Sequence, residues 1–83
     1  LGPEPLDPAL TAERFSGIIR GSARAVKTIL MDQRRLAGVG NIYANEALWR
    51  AGVRPARRGT AVTRAEAARL LESLRGVLVE SIA

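Results

Sequence analysis

A Gly-x-Gly-Asn turn at residues 38–41 constrains the fold of this chain more than any other feature of its sequence. Two glycines one residue apart can adopt positive φ and let another backbone approach closely. The turn leads into a helical pattern from Asn41 to Ala51, whose first backbone amides have no partner within the helix. A helix start of this kind carries a partial positive charge and can bind a phosphate. The turn therefore predicts a site for a nucleic-acid phosphate, held in place by the surrounding helices.

The apolar residues on both sides of the turn repeat with the period of an α-helix. They predict helices over about 12–20, 23–33, 41–51 and 64–82. The predicted N-caps are Thr11, Ser22 and a capping box of Thr63 and Glu66, and Gly21 and Gly52 end the first and third helices. No stretch alternates with period two, so we expect no strand. The expected fold is all-α: one domain over residues 1–83, a small bundle of about four helices.

Each predicted helix has an apolar face that we expect in the core. Leu10 precedes the first helix and is expected to pack on Phe15 as a hydrophobic staple. The faces comprise Phe15, Ile18 and Ile19; Val26, Ile29, Leu30 and Gln33; Ala44, Ala47, Leu48 and Ala51; and Ala67, Leu70, Leu71, Leu74, Val77, Leu78 and Ile82. Trp49 is expected to anchor the edge of this core rather than to stack on a base. The longest helix, 64–82, is expected to be a structural brace.

The composition excludes several kinds of chemistry. The chain has no cysteine and no histidine, which excludes disulfides, a cysteine nucleophile and a histidine base, and argues against a zinc site in this chain. No run of about 18 apolar residues is present, so we expect no membrane span and a cytoplasmic location. The chain starts without Met at a segment rich in proline, which suggests a domain excised from a longer protein.

Positive charge is concentrated in the middle of the chain. From Arg14 to Arg58 there are ten basic and two acidic residues, a net charge of +8, whereas the rest of the chain carries −3. A localised basic region of this kind is typical of a surface that binds a polyanion. The alternative is a solvated basic surface without a partner.

The Gly-x-Gly pair alone is weak support for a site, because such pairs often only permit a sharp turn. Three neighbouring residues strengthen the phosphate interpretation. Asn41 can cap the helix or donate to a phosphate, while Lys27 and Arg24 are expected on one face of the preceding helix. Lys27 alone could equally be a solvated surface residue. Turn amides, an asparagine and two cations together form a plausible clamp for backbone phosphates.

Two runs of sequence, Ala25–Gln33 and Leu36–Gly52, resemble the helix-two-turns-helix domain of bacterial formamidopyrimidine-DNA glycosylases. The most specific part is Gly-Val-Gly-Asn-Ile-Tyr-Ala at residues 38–44. The resemblance implies a parent enzyme that flips oxidised purines, such as 8-oxoguanine and formamidopyrimidines, out of duplex DNA, excises them and then cleaves the strand as a lyase. It implies that Lys27 lies at the DNA-facing end of its helix. A position often basic in the family is Ala23 here, with Arg24 beside it. Together with Arg24, which is chosen for its expected position beside Lys27, the residues expected to bind DNA phosphates are Gly38, Gly40, Asn41, Ile42, Tyr43 and Lys27.

The parts of the family that perform the chemistry are not in this sequence. The catalytic proline lies at the N-terminus of a separate β-rich domain, and a C-terminal zinc finger uses four cysteines. We therefore expect this chain to have no catalytic residue, no cofactor and no enzymatic activity of its own, while the parent binds one structural zinc. The expected partner is double-stranded damaged DNA, bound by a monomer.

Three alternatives remain at this stage. The related endonuclease VIII branch, which acts on oxidised pyrimidines, shares the Gly-x-Gly-Asn core but differs in the residues that follow. A small-subunit ribosomal protein carries a similar element that binds RNA, although the long basic tail expected there is absent. The third alternative is a purely structural helical domain.

Overall fold

The protein forms four α-helices in the computed structural model, which describes residues 2–37 and 39–82. They are α1 (Ala12–Arg20), α2 (Val26–Met31), α3 (Asn41–Ala51) and α4 (Arg64–Ile82), with one 3-10 turn at Gly59–Ala61. The described part of the chain contains no β-strand, only an isolated antiparallel bridge between Ala25 and Arg58. The all-α bundle of four helices is confirmed.

Side-chain caps start α1 and α4 as predicted. The Thr11 hydroxyl accepts a hydrogen bond from the Arg14 amide at 3.1 Å. At α4 the two bonds of the capping box are formed. The Thr63 hydroxyl accepts from the Glu66 amide at 3.1 Å, and the Glu66 carboxylate accepts from the Thr63 amide at 2.9 Å. Local sequence therefore sets both helix starts.

The predicted start of α2 is wrong: the helix begins at Val26, not Ala23. The Ser22 hydroxyl accepts from the Arg24 amide at 3.2 Å and closes a local turn instead of capping a helix. The first amides of α2 are bound by a distant loop instead: Val26 donates to the Arg57 carbonyl at 2.7 Å, and Lys27 to the Pro55 carbonyl at 3.1 Å. A tertiary contact thus fixes this start.

The end of α2 also comes earlier than predicted. Asp32 takes an extended conformation and ends the helix, and its carboxylate accepts from the Arg34 amide at 3.0 Å. Because the chain leaves the helix here, Gln33 is exposed rather than buried. Its predicted place on the apolar face is wrong.

The core lies where the four helices meet, with α4 packed against both α1 and α3. The buried residues include Leu10, Phe15, Ile19, Val26, Ile29, Leu30, Ala44, Ala47, Leu48, Ala51, Ala67, Leu70, Leu71, Leu74 and Val77, with Ile18 and Leu78 partly buried against them. Ile82 is 75% exposed, contrary to the prediction. With 19 residues, α4 spans about 28 Å, and Ile82 is its last residue.

Trp49 does not anchor the core. Its side chain is 79% exposed, because it lies on the side of α3 opposite the small residues that bring this helix close to α4. The end of α3 is as predicted: Gly52 has φ 72°, and the Val53 amide donates to the Leu48 carbonyl at 3.0 Å. This is the Schellman arrangement, in which glycine takes the left-handed position.

Candidate nucleic-acid interface

The start of α3 is exposed and carries no side-chain cap. Gly40 precedes the helix with φ −87° and ψ 168°, and it makes no side-chain capping bond. Gly40 therefore does not use the positive φ that glycine allows, and Gly38 lies outside the described residues. A Cβ at Gly40 would meet only the Tyr43 ring, at 3.9 Å. The glycine thus leaves open space beside the first amides of α3.

Those amides are the distinguishing feature of the site. Within residues 2–37 and 39–82, the amides of Asn41, Ile42 and Tyr43 donate to no backbone or side-chain acceptor; the first paired amide of the helix is that of Ala44, which donates to the Gly40 carbonyl at 2.9 Å. Unpaired amides at a helix start have a partial positive charge and point outward along the helix axis. Such amides can bind an anion.

The starts of the other three helices are each at least partly closed by a bound amide. Those of α1 and α4 are capped by threonine hydroxyls, and that of α2 is bound by the carbonyls of Arg57 and Pro55. Among the helix starts that the structure describes, that of α3 alone leaves all of its first three amides without an acceptor, whereas at least one of the first three is bound in each of the others. The open start is thus a local feature and not a general property of the bundle.

The side chains around this start are accessible. Asn41, the first residue of α3, is exposed; because Gly40 occupies the N-cap position, Asn41 does not cap the helix. Its amide group is therefore available to an external acceptor. Ile42 is 77% exposed and Tyr43 is 37% exposed. Of the predicted site residues, the structure brings Gly40, Asn41, Ile42 and Tyr43 together on one surface.

Arg24 and Lys27 do not share a helix face as predicted, because Arg24 precedes α2. Its guanidinium instead reaches the far end of that helix, where it lies 3.0 Å from the Asp32 carboxylate. Lys27 is half-buried in the first turn of α2 and is joined through its backbone to Pro55. The two cations are therefore held by different contacts.

Asp32 gathers three arginines just before the glycine turn. Its carboxylate oxygens lie 3.0 Å from Arg24, 3.4 Å from Arg34 and 3.7 Å from Arg35. The hydrogen bond from the Arg34 amide, supported by the guanidinium groups of Arg24 and Arg34, keeps the pKa of Asp32 below its usual value. Asp32 therefore stays ionised and holds a cluster of net positive charge. Sequence reasoning counted Asp32 only as an opposing charge, although two arginines within three residues of a helix-ending aspartate were a usable signal.

Other arginines are engaged within the bundle. Arg50 pairs with Glu46 at 3.0 Å and with Glu80 at 2.6 Å, and hydrogen bonds from Glu80 and then Glu46 raise the pKa of Arg50. Arg57 pairs with Glu66. The middle of the chain therefore does not present all of its formal charge to a ligand, and the charge count alone overstates the basic surface.

The part of the chain that the structure describes offers no ligand set for zinc. Cysteine and histidine are absent from the sequence, and within the described residues no three potential ligands of any kind cluster together. Nor does any helix in the described part of the chain combine the length and apolar character needed to cross a membrane.

The chain is similar in sequence to proteins of one known family. Residues 1–83 match the family described as the formamidopyrimidine-DNA glycosylase H2TH domain. The formamidopyrimidine-DNA glycosylase of Paracoccus denitrificans is 52% identical over 83 residues, which are 100% of this chain and 30% of the relative. The one from Moorella thermoacetica is 47% identical over the same shares of both chains.

Solved structures give the same result. The MutM (Fpg) protein of Thermus thermophilus has a TM-score of 0.93 and 50% identity, covering 99% of this chain and 31% of its own. A complex of Lactococcus lactis Fpg with DNA containing an abasic site has a TM-score of 0.90 and 30% identity, covering 99% of this chain and 30% of its own. The chain thus spans about 30% of the length of the curated relatives it matches.

Proposed function

The chain belongs to the family of formamidopyrimidine-DNA glycosylase H2TH domains, and we propose that it is the DNA-binding domain of a base-excision-repair glycosylase that removes oxidised purines. The domain would grip backbone phosphates of double-stranded damaged DNA beside the lesion. Contacts of this kind position a protein on DNA without reading its sequence.

The open start of α3 is the observation that carries this proposal. A phosphate oxygen placed at the helix start would accept hydrogen bonds from the amides of Asn41, Ile42 and Tyr43, which lack acceptors among the described residues. The absence of a side chain at Gly40 gives the phosphate room to approach. The exposed Asn41 side chain would add a donor from the same end of the helix.

Further support comes from the charges and from the relatives. The cluster of Arg24, Arg34 and Arg35 around Asp32 precedes the turn and favours an anion there. Gly38 and Lys27 complete the proposed phosphate-binding set. Lactococcus lactis Fpg, a structural relative, forms a complex with DNA that contains an abasic site, and another complex contains N7-benzyl-Fapy-dG DNA.

The chemical step is assigned to parts of the protein outside these 83 residues. In the proposed parent, an N-terminal proline on a separate β-rich domain would form the covalent intermediate with the sugar. A zinc finger with its own cysteines would bind DNA together with this domain. The chain itself supplies no catalytic residue and no cofactor site in this proposal; the parent acts as a monomer in the bacterial cytoplasm, on the nucleoid.

Titration with duplex DNA shows which amides of the chain contact it. The isotope-labelled chain is titrated at low salt with a short duplex that carries an abasic-site analogue, and amide chemical shifts are followed. We expect the largest shifts at Asn41, Ile42 and Tyr43.

Gly40→Asp fills the open helix start, because it would supply an internal carboxylate for these amides. The variant should weaken duplex binding at least tenfold, because two or more charge-assisted hydrogen bonds are lost, each contributing about 1.5–3 kcal/mol.

The stability of the same variant should change in the opposite direction. An aspartate at the N-cap position stabilises a helix by a few tenths of a kcal/mol relative to glycine, so Gly40→Asp should unfold at an equal or higher temperature. Ala65→Asp, at an exposed position in the first turn of α4, makes the same change in net charge away from the site and should retain most of the binding. Equal losses for the two variants, or largest shifts away from residues 41–43, would refute the proposal. Tighter binding of structured RNA than of the duplex would favour the ribosomal alternative.

A further inference from the structure

Two basic segments that are distant in the sequence lie side by side at the start of α2. The bridge between Ala25 and Arg58 joins them. The amide of Gly59 donates to the Arg24 carbonyl at 3.0 Å, and the amide of Val26 donates to the Arg57 carbonyl at 2.7 Å. The loop that follows α3 is therefore fixed along the residues that precede and begin α2.

This pairing forms a basic strip, defined here as Lys27, Arg54 and Arg58. The side chains of Arg54 and Arg58 are exposed, and that of Lys27 is half-buried. The Lys27 amide donates to the carbonyl of Pro55, the residue after Arg54. The backbones of the three cations therefore lie in the same two hydrogen-bonded segments. The backbone pairing thus brings like charges from two segments onto one part of the surface.

The strip has no internal counter-charge. Within the described residues, none of its three cations forms an ion pair, whereas Arg57 in the same loop is paired with Glu66, and Arg50 at the end of α3 with two glutamates. Like charges held together repel each other unless an anion lies between them. This selective pairing leaves positive potential at the strip, where an external anion can neutralise it.

The strip is continuous with the region before the glycine turn. The Arg24 carbonyl accepts from the amide of Gly59, the residue after Arg58, and the Arg24 guanidinium reaches Asp32 at the other end of α2. The six residues of α2 span about 9 Å. The strip, at the start of α2, and the arginine cluster, at its end, are therefore separated by about the length of this helix.

We propose that the basic strip is a second phosphate-binding surface, which holds the DNA backbone at a distance from the phosphates bound at the start of α3. The inference rests on the proposed function, since it concerns the same duplex. Arg54 and Arg58 are its new contacts, and Lys27 joins them to the site already described. The strip would contribute affinity and salt dependence but no preference for a lesion.

A charge-matched pair of double variants tests this inference. Arg54→Gln/Arg58→Gln removes two cations of the strip, and Arg14→Gln/Arg64→Gln removes two exposed cations from α1 and α4. Binding of the wild-type chain and both variants to the same duplex is measured over a range of salt concentrations. The strip variant should lower the slope of log K against log salt by about two, at roughly 0.9 per phosphate contact, and weaken binding at low salt by at least tenfold.

For the control variant, the slope of log K against log salt should differ from that of the wild type by no more than the contribution of about half a phosphate contact. Both variants should retain the wild-type helical spectrum and unfolding midpoint, because the altered side chains are exposed. Equal slopes for the two variants would overturn the inference. The amide shifts at residues 41–43 report separately on the start of α3: if they occur in the wild type while the slopes are equal, only the strip is refuted. If the strip variant alone loses slope while these shifts are absent, the strip binds DNA and the proposed role of α3 fails.

Discussion

The starts of α3 and α4 differ in how their first amides are satisfied. Each follows a turn that contains a glycine, Gly40 before α3 and Gly59 before α4. At α4, Thr63 and Glu66 satisfy each other's amides. At α3 no side chain caps the helix. Glycine at the N-cap position gives up only a few tenths of a kcal/mol relative to threonine or aspartate, so the open start of α3 costs little stability compared with the start of α4.

The two glycines have opposite surroundings. A Cβ at Gly59 would lie 2.1 Å from the Ile19 carbonyl oxygen and 2.6 Å from the Ser22 carbonyl oxygen. A Cβ at Gly40 would meet only Tyr43, at 3.9 Å. Glycine is thus required at Gly59 for packing within the protein, whereas at Gly40 it leaves space toward solvent. The difference separates a position that serves the fold from one that is available for a ligand.

The largest expected effect is that of Gly59→Ala. The new methyl group would clash with backbone atoms that cannot move without disrupting α1, so we expect a loss of at least about 3 kcal/mol in the free energy of unfolding. Gly40→Ala is the matched change and should alter stability by less than about 0.5 kcal/mol. Urea unfolding of both variants makes the comparison. A similar loss at the two positions would show that both glycines serve packing.

Asn41→Ala is expected to have the next largest effect, on binding alone. Removing the exposed side-chain amide should weaken duplex binding about tenfold, equivalent to about 1.4 kcal/mol, while the midpoint of thermal unfolding stays within a few degrees. Titration of the chain with the duplex at low salt measures the affinity. Unchanged binding would remove Asn41 from the proposed site, and a large fall in the unfolding midpoint would assign it a structural role instead.

The sequence predicted the elements whose signals are local. The end of α3 at Gly52 and the capping box at Thr63 and Glu66 are encoded within a few residues, and both were confirmed. The start of α2 was predicted wrongly, because its amides are bound by the carbonyls of Pro55 and Arg57, about 30 residues further along the chain. A pattern read along the chain does not include such contacts.

The same limit applies to the candidate site. Gly40 and Asn41 could be found from the turn itself, although the reason for Gly40 is the space beside it and not a positive φ. The pairing of Arg24 with Asp32 across the length of α2 could not be predicted, because the helix was placed too early. Trp49 was assigned to the core by its residue type, whereas the packing of small residues on the other side of α3 left it exposed.

Thr63→Ala provides the reciprocal test of the two helix starts. Loss of the hydroxyl that accepts from the Glu66 amide should lower the free energy of unfolding by about 1 kcal/mol. Duplex binding should be unchanged once the protein is folded, because Thr63 lies at the start of α4. Unfolding in urea and titration with the duplex are measured on the same preparation. Weakened binding by the folded variant would contradict the assignment of the start of α4 to stability alone.

The smallest expected effect is the pH dependence contributed by Glu66. Hydrogen bonds from the Arg57 guanidinium and then from the Thr63 amide lower the pKa of Glu66 to about 2, from an ordinary value of 4.5. Because the pKa is lower in the folded state, the stabilisation is present above about pH 4.5 and is lost as the pH falls toward 2. Glu66→Gln can still accept from the Thr63 amide but has no charge, so its stability should fall less over this range than that of the wild type.

Glu72→Gln is the control for this measurement, since Glu72 lies exposed on the same helix and forms no ion pair within the described residues. Between pH 5 and pH 2, the thermal unfolding midpoints of this control should fall in parallel with those of the wild type. At the acid end, the midpoints of both proteins should approach those of Glu66→Gln. Asp32 and Glu80 also have lowered pKa values, so some acid sensitivity should remain in every variant. If Glu66→Gln loses stability as steeply as the wild type, the closed start of α4 does not depend on the charge of Glu66, and its contrast with α3 rests on the threonine cap alone.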